Sequence, residues 1–518
     1  MTPLLYIFGL PLLGALLVWL VPRNYRLVIR LIALGSALGS LAAALLLFYR
    51  FDASQAGYQF VTRVPWVESL GMAFHFGVDG INLALLLMGA LVTFAAVAVS
   101  RHIKEREKEY YLLLLLMSGG ILGAFASLDL FLLYFFHELA LVPTFIMIGI
   151  WGRGERRNYA TFQITLYLSL GALIALAGLV LLYLHSGARS FDLVAIMAQL
   201  QRQPLSAEVQ HLIFPLLLFG FGILVSLWPF HSWAPLGYGS APPAVAMMHA
   251  GVIKKFGLYG LIRVALPVMP QAAWAWVDVL SVLCLGNILF CGWVALRQKD
   301  LNLLIGNSSV AHMGFCFLGL ASLSVAGITG CVMVMVAHGL LAALTFGLSG
   351  YLQQQTQTLE LKELGGLWQR MPYLGAALMM AMFAGCGLPG FANFPGELLV
   401  MFGAWQMLPM TVVLAAWGAL VIAAIYMLRA VREVLHGPVA ARWQQVQDVP
   451  GWWPKLPYTL LLGALLVFGF YPPLLTRTIE PAVTALVRQA GYDLPAPAKV
   501  KARGGAEKPA VSAPGLRR

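Results

Sequence analysis

The chain has 518 residues, of which 60% are hydrophobic and only 10% are charged. Apolar runs long enough to span a bilayer recur along nearly its whole length, so the composition excludes a soluble protein and indicates a polytopic membrane protein. The net charge of +12 comes from Lys and Arg dispersed over separate loops. That dispersion argues against a nucleic-acid surface.

The apolar runs predict fourteen transmembrane helices, because each fills a window of about 17–25 mostly apolar residues. In chain order the predicted spans are Leu4–Val21, Leu31–Tyr49, Ile81–Ser100, Tyr111–Ala126, Leu130–Trp151, Thr161–Leu184, Leu212–Trp228, Ala244–Ile262, Trp274–Leu296, Leu301–Leu323, Gly327–Leu348, Leu374–Phe402, Val412–Met427 and Tyr458–Tyr471. Between the second and third spans, residues 51–80 are rich in Gly, Thr and aromatics and predict a short hairpin on the outer face.

Two of these spans are predicted to be broken helices. Pro229 ends the seventh apolar run, and the segment Gly385–Gly396, which contains Pro389 and Pro395, interrupts the twelfth. Irregular backbone at membrane depth is tolerated only where protein buries it or water fills a cavity. Paired breaks in corresponding halves are typical of the transport site of an inverted repeat, and these two lie five spans apart.

The loop charges predict the orientation of the spans. Eighteen Lys and Arg residues lie in odd-numbered loops and five in even-numbered loops. Cytoplasmic loops hold the excess of positive charge, so the odd-numbered loops are predicted to be cytoplasmic. Both termini are then expected on the outer, periplasmic side of a bacterial inner (plasma) membrane.

Four charged residues, Glu138, Lys254, Lys255 and Glu397, lie deep inside the apolar spans. A charge at the bilayer centre costs about 2.5–3.5 kcal/mol on insertion scales and usually marks an ion or proton path. Apolar surroundings disfavour a charged lysine and a nearby carboxylate favours it, so movement of a partner can change proton affinity. The alternatives are a structural carboxylate for Glu138 and a lysine that snorkels to an interface for Lys254.

Four histidines, His231, His249, His312 and His338, lie in or beside apolar segments. A neutral imidazole bonded to a carbonyl is the ordinary role of such a residue, but four of them between charged groups could form a proton relay. His137-Glu138 lacks the second histidine of a zinc motif, and the sequence has no CxxC pair and no nucleotide-binding glycine motif. We therefore expect no metal and no cofactor in this chain, and we interpret its five cysteines as packing residues.

An ordered set of motifs resembles the antiporter-like membrane subunits of NADH–quinone oxidoreductase, respiratory complex I, of the chain M type. The motifs are FFHELALVP at 135–143, KFGLYG at 255–260 with Arg263, SSVAHMGF at 308–315, AHGL at 337–340 and LPGFANFPGE at 388–397. Each motif alone is weak, but their order over residues 1–480 is specific.

The resemblance implies an all-α polytopic membrane protein with about 14 helices, two inverted five-helix repeats and broken helices 7 and 12. It implies that Glu138 is the carboxylate of helix 5, Lys255 the central lysine of helix 8 and Glu397 the terminal carboxylate of helix 12. His312 and His338 would be bridging histidines. The predicted domains are 1–110 (helices 1–3 and the hairpin), 111–266 (first repeat), 267–433 (second repeat), 434–480 (cytoplasmic loop and helix 14) and 481–518 (a basic, disordered tail).

The chain departs from the family at Leu224, where a lysine usually stands five residues before the proline that corresponds to Pro229. The usual partner of Glu138 is therefore missing. Our hypothesis is that Lys254 supplies the opposing charge, since an unpaired buried carboxylate tends to stay protonated.

The expected function is proton translocation as a subunit of a proton-translocating NADH:quinone oxidoreductase, with no redox centre in this chain. FMN, iron–sulfur clusters, NADH and quinone are expected in partner subunits. The expected partners are other membrane-arm subunits, including neighbouring antiporter-like chains, together with the lipid bilayer and protons. One alternative is a subunit of a multisubunit cation/proton antiporter or membrane-bound hydrogenase, and a second is a passive membrane scaffold, which the missing lysine keeps open.

Overall fold

The protein is described by a computed structural model that covers residues 2–55 and 57–492. The first half contains α1 Pro3–Leu20, α2 Arg26–Arg50, β1 Gln59–Val67, β2 Met72–Val78, α3 Gly80–Val99, α4 Glu107–Ala126, α5 Leu130–Trp151, α6 Arg157–His185, α7 Leu193–Arg202, α8 Ala207–Val225 and α9 Trp233–Ser240. The second half contains α10 Pro243–Val268, α11 Pro270–Arg297, α12 Leu301–Ala321, α13 Val325–Thr356, α14 Pro372–Gly385, α15 Asn393–Trp405, α16 Pro409–Leu435, α17 Leu456–Phe470 and α18 Pro473–Gln489. The predicted all-α membrane architecture is confirmed.

Twelve helices in the described part of the chain are long and apolar enough to span a membrane. Of the other two predicted spans, the twelfth is divided into α14 and α15, and the fourteenth is the 15-residue helix α17, which meets α18 at a 71° bend. Proline, which cannot donate a backbone hydrogen bond, stands in or beside both divisions.

The prediction that a disordered tail begins at residue 481 is wrong, because residues 481–489 are part of helix α18. The residues Leu475, Ile479, Val483 and Val487 recur every four positions and are all buried, so they form one apolar face against the bundle. The sequence analysis missed this amphipathic helix because its mean hydropathy is too low for a span. The prediction of disorder for residues 493–518 lies outside the described residues.

The predicted hairpin is confirmed as an antiparallel pair of strands at one end of the bundle. It is fastened to the loops around it, because Leu128 N donates to His75 O at 2.8 Å and Phe191 N donates to Gly71 O at 3.3 Å. Asp192, which caps α7, also contacts the His75 ring at 3.2 Å. Burial acts to raise the pKa of Asp192, but the bond and charge of His75 hold that pKa below its ordinary value.

Odd-numbered loops contact one another at one end of the bundle, and even-numbered loops do so at the other. Arg30 pairs with Glu107 between the first and third loops, and Trp151 Nε1 donates to Glu105 O at 2.9 Å between the fifth and third. At the opposite end, Gln271 N donates to Gln210 Oε1 at 3.0 Å. The separation of odd from even loops in the sequence therefore agrees with the connectivity of the helices.

Helices α5 and α12, which are five spans apart, begin in the same way. Each is capped by an aspartate, Asp129 or Asp300, and each capped segment forms a short antiparallel bridge to a segment that lies two helices further along. The backbone bonds of the two bridges are Leu130 N to Phe191 O, Leu193 N to Leu128 O, Leu301 N to Leu359 O and Leu361 N to Lys299 O. The same fastening thus occurs once in each half of the chain.

The centre of the bundle is formed by α10 and α13, whose apolar windows are wholly buried. Helices α1, α2 and α6 lie at the periphery, where less than two-fifths of the corresponding windows is buried. The charged and imidazole side chains of α10 and α13 are therefore enclosed by protein rather than by lipid.

Candidate functional site

Both predicted helix breaks are present, and both turn through a left-handed residue. After α8, Ser226 has φ of 71°, and α9 begins at Trp233. After α14, Gly387 has φ of 68°. A Cβ atom built on Gly387 would lie 2.9 Å from Oε2 of Glu397, so glycine allows that carboxylate to sit against the break.

Lys255 is fully buried on α10 and is bonded across to α13. Its Nζ donates to Ala250 O at 2.6 Å and lies 2.7 Å from Nδ1 of His338. Ala250 belongs to a π-helical turn, His249–Ile253, and such turns interrupt the regular ladder of backbone bonds. The contact between the amine and the imidazole lets one proton pass between two side chains from different helices.

His312 on α12 continues the contact from His338 towards Glu397. The two imidazole centroids are 5.5 Å apart. His312 Nδ1 lies 2.8 Å from Ser308 O, and its Nε2 lies 3.2 Å from Gly385 O and 3.9 Å from Oε1 of Glu397. An imidazolium donates from both nitrogens, whereas a neutral ring donates from one only, so these contacts suit a ring that gains and loses a proton.

Glu397 is buried in the first turns of α15 and closes this row of side chains. Beside it lies a cavity of about 10 Å³, measured as the space open to the centre of a water molecule. Its walls include His312, Glu397 and Tyr426. A cavity of this size is just large enough for one water, and Glu397, His312 and Tyr426 supply the polar groups of an otherwise mostly apolar wall. We refer to Lys255, His338, His312 and Glu397 as the central row.

Lys254 is also buried, but it points to the break of the seventh span. Its Nζ donates to Ser309 Oγ at 2.8 Å and Ser309 O at 3.2 Å, and it lies 3.5 Å from Ser226 Oγ. The ring of Tyr238 lies 5.5 Å from the ammonium. Among residues 2–55 and 57–492, no ion pair joins Lys254 to Glu138, so the hypothesised pairing is not formed in this structure.

Glu138 lies apart from the central row, at the side of the bundle. Its side chain is 32% exposed, and its Oε1 lies 3.5 Å from Nδ1 of His137. The imidazole of His137 stacks on Phe256 at 3.9 Å, beside Lys255 in the sequence. Glu138 is therefore only partly enclosed by the residues that the structure describes.

The other two candidate histidines have different surroundings. His249 is buried, and its Nδ1 lies 3.3 Å from the hydroxyl of Tyr238, which also faces Lys254. His231 lies at the break itself, half-buried, with Nδ1 3.2 Å from Pro229 O. The structure therefore places His249 beside Lys254 and places His231 outside the central row.

Sequence reasoning missed several polar residues around these groups: Ser226, Tyr238, Asn287, Ser309 and Tyr426. Asn287 is fully buried within the ninth predicted span, and Tyr426 donates to Ser308 Oγ at 3.1 Å. Burying an amide in an apolar span costs free energy, as burying a charge does, although less of it. The presence of an asparagine in the ninth span could therefore have identified Asn287 as a candidate. The hydroxyl groups gave no such signal.

Comparisons with known proteins agree with this arrangement. The family described as NADH:quinone oxidoreductase/Mrp antiporter, transmembrane, has a model that matches residues 127–423. NADH-quinone oxidoreductase subunit M of Rickettsia conorii is 34% identical over 409 residues, which are 79% of this chain and 82% of the relative. NAD(P)H-quinone oxidoreductase chain 4 1 of Synechococcus elongatus is 34% identical over 495 residues, 94% of this chain and 91% of the relative.

Solved structures show the same fold. A chain of respiratory complex I from Thermus thermophilus with bound NADH has a TM-score of 0.86 at 29% identity, and the match covers 94% of this chain and 100% of that one. A chain of the Mrp complex from Dietzia sp. has a TM-score of 0.81 at 21% identity over 95% and 99% of the two chains, a likeness of fold alone. Taken together with the buried site, these matches show that the chain belongs to the NADH:quinone oxidoreductase/Mrp antiporter family of membrane subunits.

Proposed function

We propose that this chain is a proton-translocating membrane-arm subunit of NADH:quinone oxidoreductase. The observation that carries the proposal is the central row, in which a lysine, two imidazoles and a carboxylate follow one another through the buried core. These groups exchange protons, and at membrane depth they would be costly without a function. The names of the curated relatives favour this assembly.

The central row can move a proton because a change of protonation at Lys255 alters the charge that the groups nearer Glu397 experience. A charge moved against 100 mV requires about 2.3 kcal/mol, so proton affinity and access must change together. When Lys255 gives its proton to His338, the imidazole next to His312 becomes charged, and the ionised carboxylate of Glu397 attracts the proton onwards through His312. Glu138 would set the charge state at the other side, through His137 and a neighbouring subunit.

The inverted repeat and the orientation belong to the same proposal. The repeated bridges at Asp129 and Asp300, together with the breaks after α8 and α14, support two repeats that contribute one break each. The bacterial relatives support an inner membrane, and the loop charges support both termini outside it. NADH, FMN, iron–sulfur clusters and quinone would be bound by partner subunits.

Purification of the tagged chain from its native membrane in mild detergent tests the assembly. We expect co-purifying flavin and iron–sulfur subunits, identified by mass spectrometry, together with NADH:quinone activity. A complex that contains only small membrane subunits without redox centres would instead assign the chain to a cation/proton antiporter. The likeness to the Mrp complex makes that the second candidate.

The role of Glu138 is tested by Glu138→Gln, which keeps the shape and removes the charge. We expect normal assembly and severely reduced NADH-driven activity, measured in the purified complex. Normal turnover with a normal proton yield would refute the role. If substitutions along the whole central row also spared transport, the chain would be a passive scaffold.

A further inference from the structure

Asn287 joins the break of the seventh span to the second half of the chain. It lies in a π-helical turn, Gly286–Cys291, of α11 and is fully buried. Its Nδ2 donates to Ser226 O and to Val310 O, both at 3.0 Å, and its Oδ1 accepts from Trp228 N at 2.8 Å. One side chain thus satisfies two backbone groups of the break and one of α12.

The two segments that Asn287 holds are those that surround the ammonium of Lys254. Ser226 contributes its hydroxyl from the break, and Ser309, next to Val310, contributes its hydroxyl and carbonyl from α12. Tyr238 on α9 adds the face of its ring. The distance between the break and α12 therefore decides how many acceptors the ammonium has.

No carboxylate in the described residues lies within 4.0 Å of Lys254 or of Lys255. A positive charge on Lys254 repels one on Lys255. The hydrogen bonds around Lys254 stabilise its charge, so they favour loss of the proton from Lys255 to His338. Loss of these bonds would have the opposite effect.

We propose that Lys254 is a second proton-binding lysine, located at the break of the seventh span, and that Asn287 is its positioning residue. When Asn287 holds the break against α12, Lys254 has its full set of acceptors and its charge drives the proton of Lys255 into the central row. When the break separates from α12, that effect ends. This inference rests on the proposed proton-translocating function.

The first experiment combines Asn287→Leu and Lys254→Met, singly and together, in the purified complex. Each single variant should reduce the proton yield per NADH roughly fivefold, as the loss of about one buried hydrogen-bonded partner does. The double variant should lose no more than Lys254→Met alone, because Asn287 acts through Lys254. Additive losses, or normal pumping by Lys254→Met, would overturn the proposal.

The pH profile of proton pumping separates positioning from simple structural support. Asn287→Leu lets the break separate from α12 and takes Ser226 Oγ away from the ammonium, so Lys254 should lose its proton more readily and the alkaline limb should move down by about one pH unit. That shift should be absent in the Lys254→Met background. The titratable groups around Lys254 are Lys255, Tyr238, His249, Cys291, His312, Cys316 and His338. If Asn287→Leu lowered proton pumping equally at every pH, a positioning role for Asn287 would be contradicted.

Asn307→Leu is the matched control, because Asn307 is a buried amide on α12 whose hydrogen bond among the described residues goes to Leu303 O of its own helix. It should keep the wild-type proton yield and pH profile. If Asn287→Leu lowers the amount of assembled complex, Asn287→Ala replaces it, since it also removes the bonds to Ser226 O and Val310 O and adds no charge near Lys254. Lys255→Met and Glu397→Gln are measured in parallel: if these also pump normally, the proposed function itself has failed.

Discussion

Lys255 and His338 form the contact on which the proposed proton transfer depends most directly. Their nitrogen atoms are 2.7 Å apart in a region fully enclosed by protein. Two positive charges at that distance would repel strongly in a medium of low dielectric constant, so the pair holds one proton more easily than two. His312 and Glu397 extend the same logic towards α15.

Replacement of His338 tests this contact. We expect His338→Leu to remove most NADH-driven proton pumping, because His338 supplies the side-chain acceptor of Lys255 in the described structure. The measurement is the proton yield per NADH in inverted membrane vesicles. His231→Gln is the control, since His231 bonds only Pro229 O and lies outside the row. Equal losses in the two variants would argue against the assignment.

Gly387 allows a second test at the scale of one residue. Gly387→Ala places a methyl group 2.9 Å from Oε2 of Glu397 and costs about 1–2 kcal/mol for the left-handed backbone. Gly451→Ala has a similar φ of 62° but no atom within 4 Å of its Cβ. Both should reduce thermal stability slightly, and only Gly387→Ala should reduce the pumping rate. A rate loss in Gly451→Ala of the same size would show that backbone strain alone is responsible.

At the scale of elements, interruptions of regular structure coincide with the polar groups. The breaks after α8 and α14 lie beside Lys254 and Glu397, and the π-helical turns of α10 and α11 contain Ala250 and Asn287. Each interruption frees a backbone carbonyl or amide for a side chain in a region without water. The irregular segments of the helices therefore supply the backbone groups and side chains that contact the buried polar residues.

The buried pair of Asp79 and Arg263 connects the start of α3 to the end of α10. Arg263→Met should destabilise the chain by about 3–5 kcal/mol, because it leaves the carboxylate buried and unpaired. The double variant with Asp79→Asn should recover much of that loss, and Asn remains a good helix cap. The yield of assembled complex and its thermal midpoint are the measurements.

The control for this pair is the exposed pair of Arg442 and Glu363, whose side chains are about half exposed. Arg442→Met should cost less than about 1 kcal/mol. If the double variant at Asp79 and Arg263 were as unstable as Arg263→Met alone, the buried charge would not be the cause of the loss.

At the scale of the whole molecule, the connectivity puts odd-numbered loops at one end and even-numbered loops at the other. The structure separates the two ends, and the loop charges predict which end is cytoplasmic. The basic end includes the pocket formed by Arg23, Arg26, Lys104, Arg106 and Lys108 with two glutamates.

Reporter fusions in cells test the orientation. Alkaline phosphatase fused at the C-terminus should be active, because we expect that end outside, whereas a fusion after residue 445 should be inactive. Green fluorescent protein should give the reverse pattern at the same two positions. An active phosphatase at residue 445 would overturn the predicted topology.

The sequence by itself determined the membrane class, most of the spans, the two breaks and the charged residues that lie deep within the spans. These features can be read from each segment separately, because each span must form its own backbone hydrogen bonds within the bilayer. A charge in the bilayer also costs free energy in whichever span it occurs. Sequence also identified Lys255, Glu397, His312 and His338 as candidates, and the structure brings them together.

Only the tertiary structure decided which groups meet. Lys254 and Lys255 are adjacent, yet neighbouring positions on a helix point about 100° apart, so one reaches Ser309 and the other His338. The same packing leaves Lys254 away from Glu138 and puts Asn287 between two halves of the chain. Such contacts join residues that are far apart in sequence, and they depend on how helices pack rather than on the composition of any one span.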